Sequence, residues 1–117
     1  MYRKLLRGKI HGATVTGADL HYEGSIAVDT DLLTAAGIAP FETVHVWNVN
    51  NGERLETYAI PSAPGSGEIL INGAAARRAQ VGDRVIIAAF EWLTEAEVST
   101  HQPAIVLVDA SNKPQKA

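Results

Sequence analysis

The chain has 117 residues, a net charge of −3 and no cysteine, so it has the length for one domain with a real core, lacks the basic field that nucleic acid requires, and is closed to disulfide, thiolate and cysteine–metal chemistry. Apolar residues make up 46% and charged residues 20%, a folded rather than a disordered balance. No stretch approaches the roughly 18 apolar residues of a membrane span, and the charged N-terminus has no apolar run of the signal-peptide kind; nucleic acid and membrane are therefore not expected partners, and the expected location is the cytoplasm.

In chain order, Leu5 to Thr16 alternates loosely and carries β-branched residues, which predicts a strand. The basic residues around it (Arg3, Lys4, Arg7, Lys9) are broken up by Gly8 and apolar positions and read as a solvated strand face. Leu20 to Val28 predicts a second extended segment. Asp29 to Ala36 predicts a helix capped by Asp29 or Thr30, with Leu32 and Leu33 on its apolar face and Gly37 as its stop. Thr43 to Val49 alternates, with Val44, Val46 and Asn48 on one face, and Asn50-Asn51-Gly52 signals a hairpin whose return strand is Arg54 to Ile60. On that strand Arg54, Glu56 and Tyr58 share one face and Thr57 takes the other.

Pro61 to Gly67 predicts a loop and Ile69 to Ile71 a buried strand. Asn72 is placed to cap a helical turn over Gly73 to Arg78, and Val81-Gly82-Asp83 is a further turn. Arg84 to Phe90 reads as an apolar strand, and Thr94-Glu95-Ala96-Glu97 matches a capping box. Ala104 to Val108 is the last strand, and the polar end, residues 111–117, is expected to fray. Six or seven short strands with two or three helical turns, no repeat and no linker point to a small, mainly β barrel spanning residues 1–117 as one domain.

The segment that could carry chemistry is His21-Tyr22-Glu23-Gly24-Ser25. A Ser25 hydroxyl attacking the Gly24 carbonyl turns the peptide into an ester; elimination then leaves a Gly24 carboxylate and a pyruvoyl group at residue 25, a covalently bound cofactor made from the chain itself. A Gly-Ser pair occurs by chance about once in 200 positions, and Gly65-Ser66 is a second one that reads as an ordinary turn, so the weight lies on context. Lys9, His11, Tyr22, Arg54, Thr57, Tyr58 and Asn72 are the polar residues worth weighing. The small residues Gly73, Ala74 and Ala75 after Asn72 let a ligand approach backbone amides. The histidines (His11, His21, His45, His101) have no metal-ligand spacing, so no metal is expected. There is no Gly-x-Ser-x-Gly elbow.

Taken together, Gly8-Lys9-Ile10-His11, Ala18 to Ser25, Ala36-Gly37-Ile38, Val46-Trp47-Asn48-Val49, Asn51-Gly52, Thr57-Tyr58-Ala59-Ile60, Ile71 to Ala76 and Val81-Gly82-Asp83 resemble the pyruvoyl-dependent aspartate decarboxylase family, from Met1 to about Pro103. The resemblance implies a double-psi β-barrel with a few short helices. It also implies a homotetramer with sites at subunit junctions, and conversion of L-aspartate to β-alanine for pantothenate synthesis. By the same resemblance Ser25 is the self-processing nucleophile and Gly24 supplies the scissile carbonyl. Thr57 and Asn72 steady that carbonyl, and Tyr58 returns a proton to the substrate. Lys9 and Arg54 hold the substrate carboxylates, and Gly73, Ala74 and Ala75 line the substrate site. Arg77 and Arg78 receive no role. The residues leave open whether maturation needs a second protein, a maturation factor. They also leave open a non-catalytic barrel that only binds a ligand, with Gly24-Ser25 a tight turn. The small wall at residues 73–75 does not separate aspartate from a substrate one methylene longer.

Overall fold

A computed structural model describes residues 1–21 and 24–115. Eight strands and two short α-helices follow one another: β1 (Tyr2–Thr14), β2 (Gly17–Asp19), β3 (Ser25–Asp29), α1 (Thr30–Ala36), β4 (Thr43–Asn48), β5 (Arg54–Ser62) and β6 (Ile69–Asn72), then a 3₁₀ turn (Gly73–Arg77), β7 (Arg84–Thr94), α2 (Glu95–Val98) and β8 (Ala104–Leu107). The strands form a sheet in the order β2-β6-β3-β5-β4-β7-β1-β8.

That order closes on itself through the backbone. β1 pairs with β7 near one edge, and two residues later the same chain pairs with β6 at the other edge as β2. The two joining residues are themselves held: the Val15 amide donates to Asp83 O at 2.9 Å and the Thr16 amide to Ile69 O at 2.9 Å. The Thr16 hydroxyl accepts from the Ile69 amide at 2.9 Å. β1 and β2 are thus two halves of one bent strand in a six-membered ring, with β8 added outside β1. Most pairings in the ring are antiparallel, but β3–β5 and β2–β6 are parallel and need crossovers. The mainly β, double-psi barrel expected from the sequence is the fold that forms.

The ring encloses its apolar residues. Ile10 and Val15 meet Ile26 and Val28, Val44 and Val46, Ile69 and Ile71, and Val85 and Ile87, all essentially inaccessible, with Leu32 of α1 buried in the same core. α1 forms as expected: Asp29 is its cap, accepting from the Asp31 amide at 2.8 Å, and Gly37 ends it at φ 71°. Gly8 is where α1 sits on β1, since a Cβ there would lie 2.0 Å from Ala36 O.

Several expectations need correction. Of the extended segment expected over Leu20–Val28, Ser25–Val28 forms as the start of β3, whereas Leu20 and His21 turn; β2 ends at Asp19, whose carboxylate takes the His21 amide at 3.0 Å and turns the chain. Tyr22 and Glu23 lie outside the described residues. β5 continues through Pro61 to Ser62 because β3 pairs beside it there, Pro61 opposite Val28. β7 runs to Thr94, where the capping box starts α2 with both of its hydrogen bonds made. The fraying expected from residue 111 is not seen up to Gln115. Buried Asn112 accepts from the Thr14 amide at 2.7 Å and donates to Thr14 O and Gly67 O, both at 2.8 Å. Residues 116–117 lie outside the described residues.

Candidate active site

Ser25 opens β3, and its position follows from register. β3 and β6 run antiparallel with Ser25 opposite Asn72, so the two side chains share a face. Both are buried, Ser25 at 2% exposure and Asn72 at 6%, and the Asn72 amide nitrogen donates to Ser25 Oγ at 3.4 Å. Asn72 does precede the turn as expected, but its side chain makes no cap bond; it is committed to Ser25 instead. This is a correction to the capping role read from the sequence.

On the other side of Ser25 runs β5. The parallel pairing begins at Ile26 opposite Ala59, and Ser25 and Tyr58 each directly precede that pair. The alternation read from the sequence holds: Tyr58, Glu56 and Arg54 pair with Thr43, His45 and Trp47, while Thr57 and Leu55 pair with buried Val44 and Val46. Thr57 and Tyr58 therefore present opposite faces of one strand beside Ser25. The Tyr58 ring is half-buried and 6.5 Å from that of exposed Phe41.

Gly24, Thr57, Ala74 and Ala75 come together in one cleft of about 250 Å³, completed by Leu55, Glu56 and Arg78. A Cβ added at Gly24 would meet nothing within 4 Å among the described residues beyond its chain neighbours, so there is room beside its Cα. Gly73, buried with φ 67°, turns the chain from β6 into this wall, a backbone angle that suits glycine.

The two cations expected near the substrate are not in that cleft. Arg54 lines a neighbouring cleft of about 540 Å³ with Lys4, His45, Trp47 and Phe90, sharing Leu55 and Glu56 with the first. Its guanidinium carbon lies 5.0 Å from the Trp47 ring centre, a cation–π contact. Lys9 is on β1 between Ala88 of β7 and Ile105 of β8 and lines neither cleft. His11, two residues on, has a buried Nδ1 with no hydrogen-bond partner among the described residues. Among those residues no group of three or more His, Asp or Glu could hold a metal, and no helix is long and apolar enough to cross a membrane.

Sequence reasoning missed Asn48 and Arg78. Asn48 is buried at the hairpin; its Oδ1 accepts from the Asn50 amide at 2.9 Å, and its Nδ2 donates to Asp83 at 2.8 Å and to Arg78 O at 3.1 Å. Its place on the buried face of β4 was legible, but its partners lie 30 and 35 residues away.

The model of the family described as Aspartate decarboxylase matches residues 1–115. A protein of Bordetella avium (strain 197N) named Aspartate 1-decarboxylase is 57% identical over 113 residues, 97% of this chain and 93% of that one. The protein of the same name from Acidovorax sp. (strain JS42) is 58% identical over 113 residues, 97% of this chain and 90% of that one. That of Albidiferax ferrireducens is 56% identical over 115 residues, 98% and 85% of the two chains. Among solved structures, the rationally designed mkDPBB_sym_86 protein aligns with 66% of this chain and 90% of that one, at 16% identity and a TM-score of 0.49. With matches running the length of the barrel, the chain belongs to the aspartate decarboxylase family, a family of carboxy-lyases.

Proposed function

We propose that this chain cuts itself between Gly24 and Ser25 and then decarboxylates L-aspartate to β-alanine and carbon dioxide, in the cytoplasm, for pantothenate and coenzyme A synthesis. The observation that carries the reading is the Ser25–Asn72 contact at 3.4 Å, beside a Gly24 open to a cleft walled by Thr57, Ala74 and Ala75. A passive turn has no need to bury a serine against an asparagine.

In the processing step Ser25 Oγ bonds to the Gly24 carbonyl carbon as the Gly24–Ser25 C–N bond breaks, giving an ester and a free amine. Loss of a proton from Cα of residue 25 and departure of the Gly24 carboxylate leave a dehydroalanine. Water adds to its imine tautomer, ammonia leaves, and the pyruvoyl group remains. Thr57 and Asn72 are the proposed donors to the oxygen that gains charge in the first step.

The residues present fit that group. Ser25 already sits at the strand end it would occupy, and Gly73 to Ala75 leave space beside it. When formed, the pyruvoyl group supplies a ketone reactive toward an amine and an electron sink for the carbon that loses carbon dioxide. The protein's part is to bind and to move a proton. Tyr58 is the proposed donor to the former Cα. Arg54 is proposed to hold the retained side-chain carboxylate in a fork, with Lys9 as a point charge; strong pairing of the departing carboxylate would stabilise the ground state and slow its loss. The position of Lys9, away from the Gly24 cleft, supports a site shared between copies in a homotetramer; light scattering tests this by looking for four times the 12.5 kDa chain mass.

A denaturing intact-mass spectrum tests the core of the reading. Fragments Met1–Gly24 and 25–117, the second blocked by pyruvoyl, are expected, together with β-alanine formation, and Ser25→Ala should give one uncut, inactive chain. A parent that stays uncut after prolonged heating, even with lysate from its source cell, would sink the proposal and leave a binding barrel. Cutting only with that lysate would identify a maturation factor as a partner.

A further inference from the structure

Resting on the decarboxylase reading above, we propose that Arg78 is a specificity-determining residue of the Gly24 cleft, its guanidinium receiving a carboxylate of the dicarboxylic substrate. Arg78 is the cation among the described residues that line this cleft, whereas Arg54 lines the next one and Lys9 neither.

The guanidinium is held but not used up. Nη1 donates to Arg54 O at 2.8 Å and lies 3.5 Å from Glu53. Nε and Nη2 have no hydrogen-bond partner among the described residues, which leaves donors for an incoming carboxylate. The main chain behind it is fixed independently of the side chain. Arg78 O accepts from Asn48 Nδ2 at 3.1 Å and Asn51 Nδ2 at 3.0 Å, and its amide donates to Ala75 O at 3.0 Å. These contacts tie the cation to the β4–β5 hairpin and to the wall of small residues.

Charge balance makes the position matter. Glu56 also lines the cleft, and Glu53 stands beside Arg78. Without the guanidinium, the Glu56 carboxylate on the cleft wall and the Glu53 carboxylate behind Arg78 would stand unbalanced near a substrate that itself carries two carboxylates and one ammonium. Like-charge repulsion at this range would oppose entry. Arg78 thus both offsets the acidic rim and supplies the fork.

The test is calorimetric titration of the purified full-length protein with succinate, which has both carboxylates and no amine, at low and high salt, with β-alanine formation measured on the same samples. Arg78→Ala is expected to weaken succinate binding by about tenfold or more, the size of a charge-assisted hydrogen bond. Arg78→Lys should recover part of the loss. Arg78→Gln, which keeps a donor toward Arg54 O but no charge, should resemble Arg78→Ala. High salt should bring parent and variants together, and KM for aspartate should rise with little change in kcat. Arg78→Ala or Arg78→Gln binding succinate as the parent does would overturn the assignment, as would a parent that binds butyrate as well as succinate. Arg78-dependent succinate binding in a parent that forms no β-alanine would overturn the decarboxylase reading while upholding Arg78 as a dicarboxylate contact.

Discussion

Tyr58 stands one step outside the first β3–β5 pair, level with Ser25 and half-buried. Its hydroxyl makes no hydrogen bond among the described residues, so Tyr58→Phe should fold and be cut normally. Decarboxylation should fall by roughly 10²-fold or more, the usual contribution of a positioned general acid; a fully cut variant with the parent's kcat would remove Tyr58 from the mechanism. Asp29, at the far end of β3 from Ser25, makes a different kind of prediction. Burial alone would raise its pKa, but the amides of Gly67, Asp31 and Gly65 and the charge of Lys113 together hold it below the ordinary carboxylate value. Its pKa is therefore lower folded than unfolded. The stability it supplies is complete above the unfolded value and is lost as pH falls through the folded one. Asp29→Asn should melt lower at neutral pH, and its Tm should fall less steeply in acid than the parent's. Equal acid slopes in the two proteins would show that the carboxylate is not the titrating group.

At the scale of elements, what could be read from sequence and what could not divide along one physical line. The alternation of β4 and β5, the Asp29 and Gly37 caps of α1 and the capping box of α2 are set by residues within four positions of each other, and all were legible. The break after Asp19 was not, because leucine and histidine fit a strand by type, and the Asp19 carboxylate that takes the His21 amide carries no strand-breaking signal of its own in the sequence. The commitment of Asn72 to Ser25 was equally hidden from its local cap pattern, since the two are 47 residues apart and meet only through the β3–β6 register. Gly8 shows the same limit: its block was recognisable, but its reason is α1 lying against β1. Gly8→Ala must move the helix or the strand, since its Cβ would fall 2.0 Å from Ala36 O. Overpacking of this kind costs about 1–3 kcal/mol, so a clear drop in Tm is expected; an unchanged Tm would mean that helix and strand part without cost.

The whole molecule is closed by two devices that sequence patterns did not disclose. One is the bend at Val15–Thr16 that carries β1 across to β6. The other is Asn112, at φ 59° and 1% exposure, whose amide satisfies both backbone groups of Thr14 and the Gly67 carbonyl. A polar C-terminal stretch reads as solvated when only composition is visible; here a single buried amide stitches it to the ring. Asn112→Ala would leave those three groups without their partner. Each such loss costs about 1–3 kcal/mol, and denaturant unfolding should show at least about 2 kcal/mol of destabilisation in total. A loss within error of zero would mean that water replaces the side chain and that the tail adds nothing to the barrel.

The bent first strand also has a consequence for the life history of the protein. Ile10, Ala13 and Val15, all at 0% exposure, belong to the piece that the proposed cut would detach. Before the cut, folding is an event within one molecule. Afterwards the same barrel is a complex of two peptides, the shorter one threaded between partners on both sides of the ring. The uncut precursor should therefore recover from denaturant at a rate independent of dilution, whereas the matured protein should recover more slowly the more it is diluted. On the proposed scheme maturation works as a ratchet: a chain that severs its own backbone to gain a reactive carbonyl would give up the ability to refold alone.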